Sequence, residues 1–248
     1  MVGFSSPLLR RQILSLGDAY GGPRFWFELL REDRNPRNVW RALLYVGCVA
    51  APGPEPFIRA ALLHNDSRVR AMACFACGCF QDEASAEKLR ELCVDSSPRV
   101  RVHARGALSK IVRYEDVPRS HLDCSPADGA LVLISDDSVR QQDAVASALM
   151  PLGLCIARAI DAGKTQEMAR ALKPALIVTD NQKFGDNTSG LQATEIISRD
   201  PDLNETTILM FSADPLDGVF LWHGGDCFVH KTRWGLGVLR EIARAYLN

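Results

Sequence analysis

The chain has 248 residues, 47% hydrophobic and 24% charged, with a formal net charge of −1 and a pI near 6.5. This is globular material with room for one or two domains, and its charge balance excludes an overall bias toward nucleic acid or an anionic membrane surface. No apolar run approaches the roughly 18 residues needed to span a bilayer, and the N-terminus lacks the basic-then-apolar order of a signal peptide. The halves differ: residues 1–126 hold 18 Lys and Arg against 14 Asp and Glu, a net +4, and residues 127–248 hold 11 against 16, a net −5. Eight cysteines (Cys48, Cys74, Cys77, Cys79, Cys93, Cys124, Cys155 and Cys227) without a secretion signal point to reduced thiols and a cytoplasmic location.

The first half repeats itself. A spacing of 31 aligns Asn35-Pro-Arg-Asn-Val-Trp-Arg-Ala42, Asp66-Ser-Arg-Val-Arg-Ala-Met-Ala73 and Ser97-Pro-Arg-Val-Arg-Val-His-Ala104. Arg37, Arg68 and Arg99 then fall in register, as do Ala42, Ala73 and Ala104, and Gly47, Gly78 and Ser109. Each block opens on a helix N-cap residue (Asn35, Asp66, Ser97), and Pro36 and Pro98 suit a first helical turn. The small residue in register lies on the apolar face, where it lets helices approach closely. Helical patterns over about 23–33, 54–64 and 83–94 precede the blocks, so the unit is a helix pair stacked three times. Ser5 to Ser15 reads as one more second helix without its first.

This pattern resembles the short HEAT-like repeat, whose second helix reads Asp-x-x-Val-Arg-x-x-Ala. Asp66–Ala73 and Ser97–Ala104 carry the resemblance, with Ser for Asp in the latter, whereas the first block has Asn38-Val39 in place of Val-Arg. The resemblance implies an α-helical solenoid over residues 1–113 that offers an elongated groove to a protein partner. The Arg37/Arg68/Arg99 column reads in two ways: it grips an acidic peptide or a phosphate backbone, or it bonds helix ends and carboxylates of neighbouring repeats. A net +4 falls far below the basic footprint of a nucleic-acid binder. The run Cys74-Phe-Ala-Cys77-Gly-Cys79 has no second Cys/His pair at a zinc-site spacing. Cys77 also occupies the core position of Val46 and Leu108, so buried thiols are expected.

Residues 114–127, with Pro118 and Pro126, read as a linker. The segment 128–248 then alternates apolar runs with helical patterns. Strands are expected at 130–135, 154–160, 175–179, 207–211 and 227–230, and helices at 138–152, 165–172, 190–197, 214–222 and 235–247. Five strands alternating with five helices define a doubly wound α/β fold on a parallel sheet, and burial on both faces explains why the strands do not alternate in polarity. The strand ends deliver Asp136-Asp137, Asp180, Ser212-Ala213 and Lys231 to one edge. Three crowded carboxylates need a cation or a proton. Mg2+ fits, since it takes oxygen ligands and leaves positions for water and phosphate. A hydroxyl and an ammonium beside it would stabilise a phosphoryl group in transfer.

In that order these residues strongly resemble the response-regulator receiver domain, with its flavodoxin-like five-stranded fold. The resemblance implies that Asp180 is the phosphoacceptor and that Asp136, Asp137, Asp180 and the backbone carbonyl of Gln182 hold the metal. Ser212 would bond the phosphoryl group, Lys231 would pair with it, and Phe228 matches the switch aromatic. The chain departs from the family in Lys183-Phe184 where Met-Pro is usual, in a two-residue insertion within 184–190, and in Thr232 where proline usually follows the lysine. The expectation is a two-component signalling protein, not an enzyme beyond self-catalysed phosphoryl transfer. Its partners would be a histidine kinase or phosphotransfer protein, a protein bound by the repeats, and a second copy through the receiver. The alternatives are a pseudo-receiver scaffold that acts unphosphorylated, and a bilin-lyase-like enzyme suggested by similar short repeats.

Overall fold

The computed structural model describes residues 6–112, 129–181 and 189–247. The chain divides into two compact units, 1–121 and 122–248. The expected linker at 114–127 lies outside the described residues, as does Gln182.

The first unit is a stack of helices: α1 (Pro7–Asp18), α2 (Gly22–Glu32), α3 (Pro36–Val49), α4 (Glu55–Ala61), α5 (Ser67–Phe80), α6 (Ala86–Leu92) and α7 (Pro98–Ile111). Helices α3, α5 and α7 begin 31 residues apart, as the spacing predicts. Asn35 caps α3 by accepting from Arg37 N at 3.0 Å, and Asp66 caps α5 by accepting from Arg68 N and Val69 N at 2.8 and 3.2 Å. At their far ends Ala50 and Gln81, again one period apart, adopt the left-handed conformation that closes each helix. The first helices are shorter than their patterns: α4 stops at Ala61, and a 3₁₀ turn over Glu83–Ser85 precedes α6. A Cβ on Gly47 would sit 3.2 Å from Ala76 Cα, and one on Gly78 would sit 2.9 Å from Ala107 Cα. These glycines bring successive second helices together at each step of the stack.

For Arg68 and Arg99 the two readings of the arginine column can be told apart. Arg68 and Arg99 are 7% and 1% exposed, and Arg99 Nη1 reaches Ser67 Oγ at 3.5 Å. They run inside the stack and offer no outward grip. The arginine of the Val-Arg pair makes the inter-repeat link. Arg70 Nε and Nη2 donate to the Asp95 carboxylate at 3.0 and 2.9 Å, tying the second repeat to the third. Cys74 and Cys77 are fully buried, and Cys77 Sγ lies 3.4 Å from Ser85 Oγ.

The second unit is a parallel sheet of β1 (Leu131–Ser135), β2 (Cys155–Ala159), β3 (Leu176–Thr179), β4 (Thr207–Ser212) and β5 (Cys227–His230) in the order β2-β1-β3-β4-β5. Between them run α8 (Val139–Leu149), α9 (Ala162–Leu172), α10 (Gly190–Arg199) and α11 (Asp217–Trp222), and α12 (Gly235–Leu247) follows β5. Two helices differ from expectation. Helix α9 starts three residues early because Asp161 is its cap, accepting from Lys164 N at 2.6 Å. Helix α11 starts three residues late because Asp214–Leu216 form a tight turn closed by Leu216 N on Asp214 O at 2.9 Å. Strand order reverses between β1 and β3, which opens a crevice at their carboxyl ends.

Candidate functional site

Asp136 follows β1, Asp180 follows β3, Ser212 ends β4 and Lys231 follows β5. The sheet's ladder bonds run straight into them: Asp136 N donates to Ala159 O at 3.3 Å, Asp180 N to Ser135 O at 3.0 Å and Lys231 N to Ser212 O at 2.9 Å. The side chains are therefore positioned by the backbone pairing of the core. Lys231 Nζ donates to Asp136 Oδ2 at 3.1 Å and to Asp180 Oδ2 at 2.7 Å. Both carboxylates are buried, at 4% and 3% exposure. Their other oxygens accept backbone N–H groups, Asp136 Oδ1 from Ser138 at 2.9 Å and Asp180 Oδ1 from Asn181 at 2.7 Å. Ser212 is buried alongside, its Oγ accepting from Asp214 N at 3.4 Å.

Burial raises the Asp136 pKa above the usual carboxylate value, with the Asp180 charge adding to it and the Ser138 N–H and Lys231 only partly opposing it. Lys231 shows the reverse balance. Burial pulls its ammonium down, but the bond to Asp180 and the charges of Asp180 and Asp136 outweigh that and raise it. Two carboxylates share one ammonium, so the buried cluster carries a net −1 and attracts a further cation.

Asp137 is exposed at the rim. Among the described residues no three His, Cys, Asp or Glu side chains converge as a ready-made metal group. The fit to Mg2+ thus rests on the hard carboxylate oxygens of Asp136 and Asp180 and their excess charge. Phe228 is half-buried, its ring 6.2 Å from Phe220 and 4.8 Å from His230, and His230 Nε2 faces Asp217 Oδ1 at 3.2 Å. Thr232, where proline was the family's expectation, donates its N–H to His230 O at 2.8 Å, a bond proline has no donor to make.

Two features at this edge escaped the sequence reading. Asn181 Nδ2 donates to Asp214 Oδ2 at 3.2 Å, linking the chain after β3 to the chain after β4. A Cβ on Gly190 would lie 1.8 Å from Asp180 O, so this glycine lets α10 begin directly against the Asp180 carbonyl. The polarity of Asn181 and Asp214 just past two strand ends was the available signal for the first. The glycine itself was visible, but its contact was not.

Residues 23–117 match the family model of HEAT repeats. No curated protein sequence matches the chain. Solved structures similar to the chain include a Francisella response-regulator receiver domain (19% identity, 48% of this chain and 97% of that one, TM-score 0.42). Another is the chemotaxis response regulator CheY4 of Vibrio cholerae (20%, 47% and 98%, 0.42). A third is the receiver domain of a Pseudomonas aeruginosa sensor histidine kinase, described with a magnesium ion coordinated in its active-site cleft (20%, 48% and 98%, 0.43). The chain carries a helical stack that matches the HEAT-repeat model over residues 23–117 and a five-stranded parallel α/β unit in the flavodoxin-like strand order.

Proposed function

We propose that this is a two-component signalling protein whose Asp180 accepts a phosphoryl group from a histidine kinase or a phosphotransfer protein. The observation that carries the reading is the buried triplet in which Lys231 Nζ bridges Asp136 and Asp180 at the carboxyl ends of three different strands. In the transfer, an Asp180 carboxylate oxygen forms the new O–P bond as the donor's N–P bond breaks, and the electron pair stays on the donor imidazole. Asp136 and Asp180, with the Gln182 carbonyl and Asp137 as further candidates, would hold Mg2+, which neutralises charge on the phosphoryl oxygens.

The chain's own groups then do three things. The backbone N–H of Asn181 fixes the orientation of the Asp180 carboxylate. The Lys231 ammonium, already on Asp180 Oδ2, follows the charge onto a phosphoryl oxygen. The Ser212 hydroxyl, which accepts from Asp214 N, has its proton available to donate to another. A phosphoryl group adds nearly two negative charges. Drawing Ser212 and Lys231 toward it moves the chain ends of β4 and β5, which carry Asp214 and Phe228 with them. The HEAT repeats supply the protein-binding scaffold that reads out the change.

The test is incubation of the full chain with acetyl phosphate and Mg2+ followed by intact mass. Gain of one phosphoryl mass is expected, lost in Asp180→Asn and when Mg2+ is chelated. Retention of the added mass in Asp180→Asn overturns the assignment of the acceptor. Absence of any added mass in the parent protein favours a scaffold that acts unphosphorylated.

A further inference from the structure

The contact that ties α5 to the next repeat has a counterpart in α7 with its partner missing. Arg70 and Arg101 hold the same position one period apart, and their backbone partners are also one period apart. Arg70 Nη1 donates to His64 O and Asn65 O at 2.8 and 2.9 Å. Arg101 Nη1 donates to Asp95 O and Ser96 O at 2.8 and 2.9 Å. Each guanidinium is thus held in the same pose within its own repeat. Arg70 completes the pose by laying Nε and Nη2 on the Asp95 carboxylate. Arg101 forms no ion pair among the described residues.

Arg101 is half-buried with a second cation beside it. Arg105, one turn along α7, donates Nη2 to Cys93 O at 3.0 Å, and its buried Nε has no partner. In α5 the positions Ala71, Cys74 and Phe75 are buried, at 1%, 0% and 4% exposure. Their counterparts Val102, Arg105 and Gly106 in α7 are half-open. A repeat that merely ends a solenoid needs a polar outer face. It does not need a guanidinium fork already aimed where the next repeat's carboxylate would stand.

We propose that this face of α7 docks an acidic helix of a partner protein, which stacks as a fourth repeat and presents a carboxylate to Arg101 as Asp95 does to Arg70. A planar fork held by two carbonyls selects a carboxylate in bidentate geometry, and Arg105 favours further acidic residues on the same helix. The inference rests on the scaffold reading of the repeats and is independent of phosphorylation at Asp180.

The probe for the test is a fluorescein-labelled peptide of residues 82–97, which holds five acidic against two basic residues and carries Asp95 after the α6 sequence. Titrated with the full-length protein and no phosphodonor, it is expected to bind saturably by anisotropy. Asp95→Asn in the peptide should weaken binding about tenfold, the scale of a lost charge-assisted pair. Arg101→Gln in the protein should cost the same, and the two together no more than either alone. The peptide substitution leaves the protein untouched, so it carries the test even if Arg101→Gln disturbs α7. Absence of saturable binding, or equal binding of the Asn peptide, overturns the proposal. So does binding that survives Arg101→Gln, since that marks exchange into the existing Arg70 position.

Discussion

At the scale of residues, the candidate site was legible because each polar group ends an apolar run. Asp136, Asp180, Ser212 and Lys231 could be placed on one edge by strand count alone. Asn181 on Asp214 and Gly190 on the Asp180 carbonyl could not, because each depends on which loops the fold brings together. Gly190→Ala should therefore be severe. Its Cβ would collide with backbone at 1.8 Å, and the helix or the chain after β3 must move. We expect the α/β unit to lose about 3 kcal/mol or more, read as an early melting transition of the Trp222 and Trp234 fluorescence. The thiols offer a second check. Burial pushes Cys77 up to about 11, and Cys48 and Cys227 up to about 12, so at pH 8 they are protonated as well as inaccessible. Among the described cysteines, exposed Cys155 is expected to take iodoacetamide first in the native protein, with peptide mapping as the readout.

At the scale of elements, the second helices were legible to within a residue because caps and small residues repeat at a fixed spacing. The role of the arginines was not. A register places Arg37, Arg68 and Arg99 on one line but does not say which way the line faces. Arg68 and Arg70 stand about 200° apart around their helix, so one points into the stack while the other reaches the next repeat. The glycines separate packing from propensity in the same helices. Gly78→Ala puts a Cβ at 2.9 Å from Ala107 Cα and is expected to destabilise the repeats by about 1–3 kcal/mol. Gly106→Ala fills open space in a helix interior and is expected to stabilise them by up to about 1 kcal/mol. Thermal melts of the two variants should move in opposite directions.

At the scale of the molecule, the two units answer acid differently. In the repeats, Arg70 and the Ser97 N–H outweigh burial to hold Asp95 below the usual carboxylate range, and Arg59 does the same for Asp82. A depressed carboxylate stabilises the fold above its unfolded value of 3.8, and that contribution is lost as pH falls through the lower folded value. Asp136 in the α/β unit is raised, so it contributes in the opposite sense: acidification relieves its burial. Between pH 7 and about 3, melting followed by Trp26 and Trp40 should fall further than melting followed by Trp222 and Trp234. Asp95→Asn should cost about 2 kcal/mol at neutral pH, little at pH 3, and flatten that acid limb. The repeated step has one more consequence. A second copy of residues 67–97 spliced in after Ser97 would meet Gly78 with another Ala76 and would carry its own Arg70 and Asp95. Array length is then a quantity that gene duplication or design can change in 31-residue increments without inventing an interface.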